Sequence, residues 1–252
     1  MKILLTNDDG IHAKGLWALY KRFAENHDVT VIAPDRERSA VGHGITLNEP
    51  LRTTHVEVNG GYKGYAVTGT PADCIKLGVL EILDEKPDIV ISGINQGVNV
   101  GVNINYSGTV AAAKEAALYG ISAISVSIQG TEANSYDDTA FFIEILSKKV
   151  FEKGLPFGTF LNVNIPDMPV KKTAGLRFSR QGVKLFSEYF EKRVDPRNRT
   201  YYWQGCETNS LDRSPNVDSA DICNNFISIT PIKCDMTDYK TLEDLQSWNI
   251  EL

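Results

Sequence analysis

Two neighbouring carboxylates, Asp8 and Asp9, follow the apolar run Ile3 to Thr6 within Thr6-Asn7-Asp8-Asp9-Gly10. Along a continuing strand adjacent side chains face opposite ways, so both carboxylates reach one point only if the chain turns there. Gly10 supplies that turn. Two unshielded carboxylates repel each other, and a cation between them resolves the repulsion; oxygen-only donors select a hard divalent ion such as Mg²⁺ or Mn²⁺. Three further segments offer matching groups. Ala33-Pro34-Asp35-Arg36-Glu37-Arg38-Ser39-Ala40 presents the Ser39 hydroxyl to a metal or a phosphate, with Arg36 and Arg38 as attractors of an anion. The stretch from Ser92 to Gly101 carries Gly93, Gly97 and Gly101, which permit close backbone approach, and Asn95, a neutral oxygen ligand or amide donor. Tyr106-Ser107-Gly108-Thr109 opens an Ala-rich helical segment, whose free N–H groups and positive dipole end suit an anion, with the Ser107 and Thr109 hydroxyls as extra donors. Taken singly, each is equally a turn, a charged loop or, for Ser107, an N-cap.

What joins them is the order of the elements. Ile3 to Thr6, Val29 to Ala33, Asp88 to Ser92, Ser122 to Ile128 and Thr159 to Ile165 are Val- and Ile-rich without polar alternation, as strands buried on both faces of a parallel sheet are. Between them Gly15 to Glu25, Pro71 to Leu83, Thr109 to Tyr119 and Tyr136 to Lys153 repeat apolar residues at helical spacing. This βαβ rhythm predicts an α/β, three-layer Rossmann-like fold with a mostly parallel sheet. Gly44 to Val67 interrupts it as an inserted β-hairpin, Leu51 to Val58 and Tyr62 to Val67, turning at Asn59-Gly60-Gly61. In a doubly wound sheet the loops at the carboxyl ends of the strands share one edge, where ligands bind at the switch point. Asp8, Asp9, Ser39, Asn95 and the Ser107 loop all fall on that edge, and together they describe a metal plus phosphate site better than unrelated turns.

From about Arg180 the texture turns charged and aromatic, with Tyr189-Phe190 and Tyr201-Tyr202-Trp203, which reads as an extended arm. The expected division is a catalytic core over 1–180 and, over 181–252, an arm, a late strand at Phe226 to Ile232 ending near Pro231, and a helix from Thr241 to Leu252. His12 and His43 lie near the loops, but the motifs need no imidazole. Cys74 reads as a small core residue and Asp137 and Asp138 as helix-dipole partners. The 252 residues carry 26 Lys plus Arg against 32 Asp plus Glu, a net charge of -6, which weighs against long nucleic acid. Four cysteines without a CxxC pair indicate neither zinc nor a disulfide framework. No apolar stretch is long enough to span a bilayer, so a cytoplasmic protein without a membrane partner is expected.

LTNDDGIHAKG, APDRERSAVGHGITL, TGTPADCIKLG, PDIVISGINQGVNVG and YSGTVAAAKEAALYGISAISVS, in this order, resemble the SurE family of survival-protein-E type nucleotidases. FLNVNIP, YYWQG and FISITPI look like the family's C-terminal half, so the resemblance spans essentially the whole chain. It implies a divalent-metal-dependent phosphomonoesterase acting on nucleoside 5′- and often 3′-monophosphates, some members also trimming short polyphosphate. It further implies one Mg²⁺ or Mn²⁺ per subunit on Asp8, Asp9, Ser39 and Asn95. On a hydrolytic reading the helix start at Ser107, Gly108 and Thr109, with Asn95, holds the phosphate oxygens. Asp8 or Asp9 then orients or deprotonates the attacking water. A covalent aspartyl-phosphate at Asp8 is disfavoured because the DxD spacing of that route is absent. The rival class is a nucleotide- or anion-binding module without turnover. The family exchanges its C-terminal arm between subunits, implying a homodimer or homotetramer. Gly44 stands where many members carry serine, and Asp212 to Asn225 departs from the usual acidic turn, which bears on substrate preference and assembly.

Overall fold

Leu4 points to one side of its strand and Ile3 and Leu5 to the other, yet all three are buried, so helices must cover both faces of the sheet. The computed structural model, which describes all residues except 59–60, 131–134, 185–186, 208–211, 249 and 251–252, has that arrangement. Its first half runs β1 (Lys2–Thr6), α1 (Lys14–Phe23), β2 (Asp28–Pro34), β3 (Thr53–Val58), β4 (Tyr62–Val67), α2 (Pro71–Leu77), β5 (Ile89–Gln96) and α3 (Gly108–Leu118). There follow β6 (Ser122–Ile128), α4 (Tyr136–Lys153), β7 (Thr159–Ile165), β8 (Leu176–Phe178), β9 (Ser187–Val194), β10 (Thr200–Glu207), α5 (Asp218–Cys223), β11 (Ile227–Lys233) and α6 (Tyr239–Leu245). The main sheet is ordered β3-β4-β2-β1-β5-β6-β7-β11-β8. β4, β2, β1, β5, β6 and β7 run parallel. β2 lies on one side of β1 and β5 on the other, so the topological switch falls between β1 and β5.

The three layers follow from strand alternation. Ile3, Leu5, Ile89, Ile91, Ile124 and Val126 pack under α1 and α4. Leu4, Ile32, Val90, Ala123 and Phe160 pack under α2 and the alanines of α3, whose small side chains let that helix lie close to the sheet.

The βαβ strands and helices stand where apolar periodicity places them, and the hairpin is antiparallel as expected. The hairpin also extends the main sheet, because β4 pairs in parallel with β2. Its Asn59-Gly60-Gly61 turn falls mostly outside the described residues. Four boundaries differ from the sequence reading. β5 runs to Gln96 rather than Ser92, with a shift of register between Ser92 and Asn95. The α-helical part of Pro71 to Leu83 stops at Leu77 and goes on as a π-helical turn, Gly78–Ile82. Pro231 lies inside β11, where β8, paired only with Ile227 to Ile229, leaves one flank of the strand open and no donor is needed. The terminal helix begins at Tyr239, because Asp238 caps it by accepting from Lys240 N and Thr241 N, each at 3.1 Å, and it ends at Leu245. The arm is a two-stranded antiparallel ribbon, β9 with β10, and the chain then returns to the main sheet through β11. Among the described residues no helix is long and apolar enough to cross a membrane.

Glu144 on α4 fastens α1. Its side chain is 2% exposed and accepts from Arg22 Nε at 2.5 Å and Lys148 Nζ at 2.8 Å. Burial pushes its carboxyl up, but the Lys148 and Arg22 hydrogen bonds and charges outweigh burial and hold it below its ordinary 4.5. A depressed folded value means the ionised form is favoured in the fold. Its stabilisation is therefore complete above pH 4.5 and disappears as pH falls through the lowered value. Glu144→Gln is expected to cost about 1–3 kcal/mol at pH 7 in urea melts, a difference that shrinks towards pH 3.

Candidate active site at the sheet edge

β1 ends in Asn7-Asp8-Asp9-Gly10, and the turn is held from several sides. Asn7 Nδ2 donates to Gly10 O at 3.0 Å, and Ile11 N to Pro34 O at 2.8 Å. Gly10 has a φ of +95°, and a Cβ there would meet Arg36 C at 2.9 Å, so both conformation and closeness require glycine. Arg38 N donates to Asp8 O at 2.7 Å, which ties the Ser39 loop to the carboxylate turn.

Asp8 is buried, and the Thr109 hydroxyl donates to its Oδ1. Burial raises its carboxyl above the ordinary 3.8, opposed by the Thr109 hydroxyl and by backbone N–H groups at the start of α3. The α3 N-terminus is thus aimed at Asp8, and Gly108 is what lets it approach: a Cβ there would lie 2.7 Å from Asp8 Cβ and 3.0 Å from Oδ2. Asp9 is pushed up to about 7 by burial and then by the charges of Asp8 and Glu37, against the Gln96 N–H.

Asn95 follows the register shift in β5. Its Nδ2 donates to Gly97 O at 2.7 Å and Gln96 O at 3.2 Å, which orients the amide and leaves Oδ1 as the end to offer a ligand. Ser39 Oγ donates to Glu37 Oε1 at 2.6 Å. Ser107 Oγ accepts from Val110 N at 3.1 Å, so it is the N-cap of α3, and its own proton stays free to donate.

Asp8, Ser39, Asn95 and Ser107 line one cleft of about 630 Å³. Asp9 stands beside Asp8, while Gly108 and Thr109 lie behind it. Thr109 departs from the expected phosphate contact, since its single hydroxyl proton is committed to Asp8. Arg38, expected to attract an anion, donates from Nη2 to Thr68 O at 2.7 Å. His43 binds Glu115 at 2.7 Å, and Cys74 is buried in the core.

Sequence reading missed part of the cleft. Asn99 fixes the loop after β5: its N–H donates to Asn164 Oδ1 and its amide to Ser127 Oγ, both at 2.8 Å, and its carbonyl accepts from Asn162 and Asn164. The Asn-Val-Asn pattern on β7 is the signal that could have found this network. Tyr106, Glu188 and Gln204 also line the cleft. Nothing local marks the last two, because the ribbon brings them from about a hundred residues away.

The fold and the site define a Rossmann-like α/β protein with a cleft at the switch point, beside a carboxylate pair and a helix N-terminus. The family model described as "Survival protein SurE" matches residues 3–188, and the chain belongs to that family. The chain is similar to "5′-nucleotidase SurE" of Desulfatibacillum aliphaticivorans, 55% identical over 100% of this chain and 99% of that one. It is also similar to "5′-nucleotidase SurE" of Syntrophobacter fumaroxidans, 46% identical over 99% of this chain and 100% of the other. Among solved structures, the crystal structure of SurE protein from Aquifex aeolicus superposes with a TM-score of 0.86 at 37% identity, covering 98% of each chain.

Proposed function

We propose that this chain is a 5′-nucleotidase: a divalent-metal-dependent phosphomonoesterase that releases phosphate from nucleoside 5′-monophosphates, accepts 3′-monophosphates and trims short polyphosphate. The observation that carries the reading is the carboxylate pair at the end of β1: Asp8 lines one cleft with Asn95, Ser39 and Ser107 at the switch point, and Asp9 follows it in the same turn. The relatives named 5′-nucleotidase SurE, matched over nearly their whole length, support it.

The donor set fits a hard cation. Two carboxylates with a third acid, Glu37, close enough to raise Asp9 make a site of excess negative charge, and a bare phosphate would be repelled there. Asp8, Asp9, Ser39 and Asn95 would hold one Mg²⁺ or Mn²⁺. Among the described residues no cluster of three or more His, Cys, Asp or Glu is placed to hold a metal. When bound, such an ion draws charge from the phosphate oxygens and makes a water more acidic.

Asp8, pinned by Thr109, would be the fixed ligand. Asp9, free of that hydroxyl, orients the attacking water and takes its proton. Asn95 and the Ser107 hydroxyl steady the phosphate oxygens as charge develops. Gly108 and Thr109 act through Asp8. Thr109→Val is accordingly expected to lower kcat roughly tenfold with little change in KM, because an unpinned Asp8 weakens the reacting geometry more than substrate binding.

Residues 1–180 would serve as the catalytic core of a cytoplasmic enzyme and 181–252 as the part that assembles a homodimer or homotetramer. Support comes from the ribbon, where Tyr189, Phe190, Tyr202 and Trp203 are exposed, Trp203 at 60%. Trp203→Glu is expected to shift the protein to smaller species in sedimentation. The test of the proposed function is phosphate release from a panel of 5′- and 3′-nucleotides and short polyphosphate with Mg²⁺ and Mn²⁺. Turnover of 5′-monophosphates is expected; tight binding without turnover of any member would favour an anion-binding module.

A further inference from the structure

We propose that Glu188 and Gln204 form a subsite for the vicinal diol of a ribose, placed by the C-terminal ribbon over the cleft that holds the phosphate. The inference rests on the nucleotidase reading and extends it to the sugar.

In the ribbon Glu188 pairs with Cys206, and Phe190 with Gln204. Residues two apart on a strand share a face, and directly paired residues share it too, so Glu188 and Gln204 stand diagonally on one face of the ribbon. Both line the cleft that also contains Asp8, Asn95 and Ser107. The cleft therefore has two chemically different walls: the sheet edge with its carboxylate turn, and the ribbon with one carboxylate and one amide.

The ribbon wall suits hydroxyl donors. An ionised Glu188 accepts only, and Gln204 offers both an accepting oxygen and a donating NH₂. Two adjacent hydroxyls of a ribose match that pair, and a hydrogen bond to a carboxylate is among the stronger neutral–charged contacts. Phosphate does not suit this wall, because Glu188 would repel it. This fixes the direction in which a nucleotide lies, with the phosphate at the Asp8 end and the sugar hydroxyls at the ribbon. Tyr106, 57% exposed and also lining the cleft, offers a ring face for the base carried by that sugar.

Two consequences follow for selectivity. A 2′-deoxy sugar leaves an acceptor without its donor, a loss larger than that of an apolar contact. A phosphate on the 3′ oxygen of a nucleotide already bound through its 5′ phosphate would face Glu188 directly.

The experiment measures binding of adenosine and 2′-deoxyadenosine to the full chain by calorimetry, in the wild-type protein and in Glu188→Ala, Glu188→Gln and Gln204→Ala. Both positions are exposed on the ribbon, and thermal melts check that each variant folds. The wild-type protein is expected to bind adenosine roughly tenfold or more tighter than 2′-deoxyadenosine. Glu188→Ala should bring that ratio close to one, with Glu188→Gln and Gln204→Ala in between. Equal affinity for the two nucleosides in the wild-type protein, or the same ratio in Glu188→Ala, would overturn the subsite. Phosphate release from p-nitrophenyl phosphate, which has no sugar, is measured alongside on the wild-type protein. Its absence counts against the phosphomonoesterase reading and leaves the sugar ratio to decide the subsite.

Discussion

Asp9→Asn is expected to lower phosphate release from AMP by about 10³-fold at saturating Mn²⁺, measured as kcat, while the chain keeps its fold. Asn matches Asp in shape, so the packing around Asn7 and Gly10 has no reason to change. What is lost is charge and basicity: in the proposed mechanism, the carboxylate that would balance a cation and the group that would take the proton of the attacking water. Stability should move the other way. Burial and the charges of Asp8 and Glu37 push Asp9 up to about 7, so in the folded chain its ionisation is unfavourable. A raised folded value makes the ionised group a cost that sets in above its ordinary 3.8 and is complete above about 7. In EDTA at pH 8 Asp9→Asn is therefore expected to melt no lower than the wild-type protein. Functional sites commonly trade stability for activity in this way. Unchanged turnover in this variant would remove Asp9 from the reaction.

Gly108→Ala should be nearly as damaging, for a steric reason. The added methyl would lie 2.7 Å from Asp8 Cβ, 3.0 Å from Asp8 Oδ2 and 3.1 Å from Pro71 Cγ. In a solvent-exposed helix alanine would be preferred over glycine by about 1 kcal/mol. Here the methyl must displace either the start of α3 or the β1 turn, and overpacking of this kind costs about 1–3 kcal/mol. The displaced atom is the carboxylate on which the Thr109 hydroxyl and the proposed ion depend. A shift of about 1 Å in a reacting group is worth on the order of 10²-fold in rate, so kcat should fall by that factor. A fall in melting temperature with normal kcat would show that the close approach of α3 serves packing alone.

The core was legible in the sequence because its signal is periodic. Ser122–Ile128 and Thr159–Ile165 are bounded where the apolar runs end, and α2 starts at the Thr70-Pro71-Ala72-Asp73 capping box. Ends set by tertiary pairing were not legible. β5 continues past Ser92 because β6 still offers partners at Ser127 and Ile128, and Pro231 stays in β11 because one flank of that strand is open. In the site, Asp8, Ser39, Asn95 and Ser107 meet in one cleft as the loop positions required. The direction of a single hydroxyl was beyond sequence reasoning, since Thr109 is a donor from either side and only packing turns it onto Asp8. Glu188 and Gln204 were hidden for another reason: a ribbon of exposed, non-periodic residues carries no sign of which wall it will lie against.

The most direct test of the account is the inorganic phosphate released from AMP by the protein treated with EDTA, then again after Mn²⁺ or Mg²⁺ is returned. Release should vanish in EDTA and recover with the ion in the wild-type protein, and should fail to recover in Asp9→Asn. Equal release with and without EDTA, or none with any divalent ion, would contradict it.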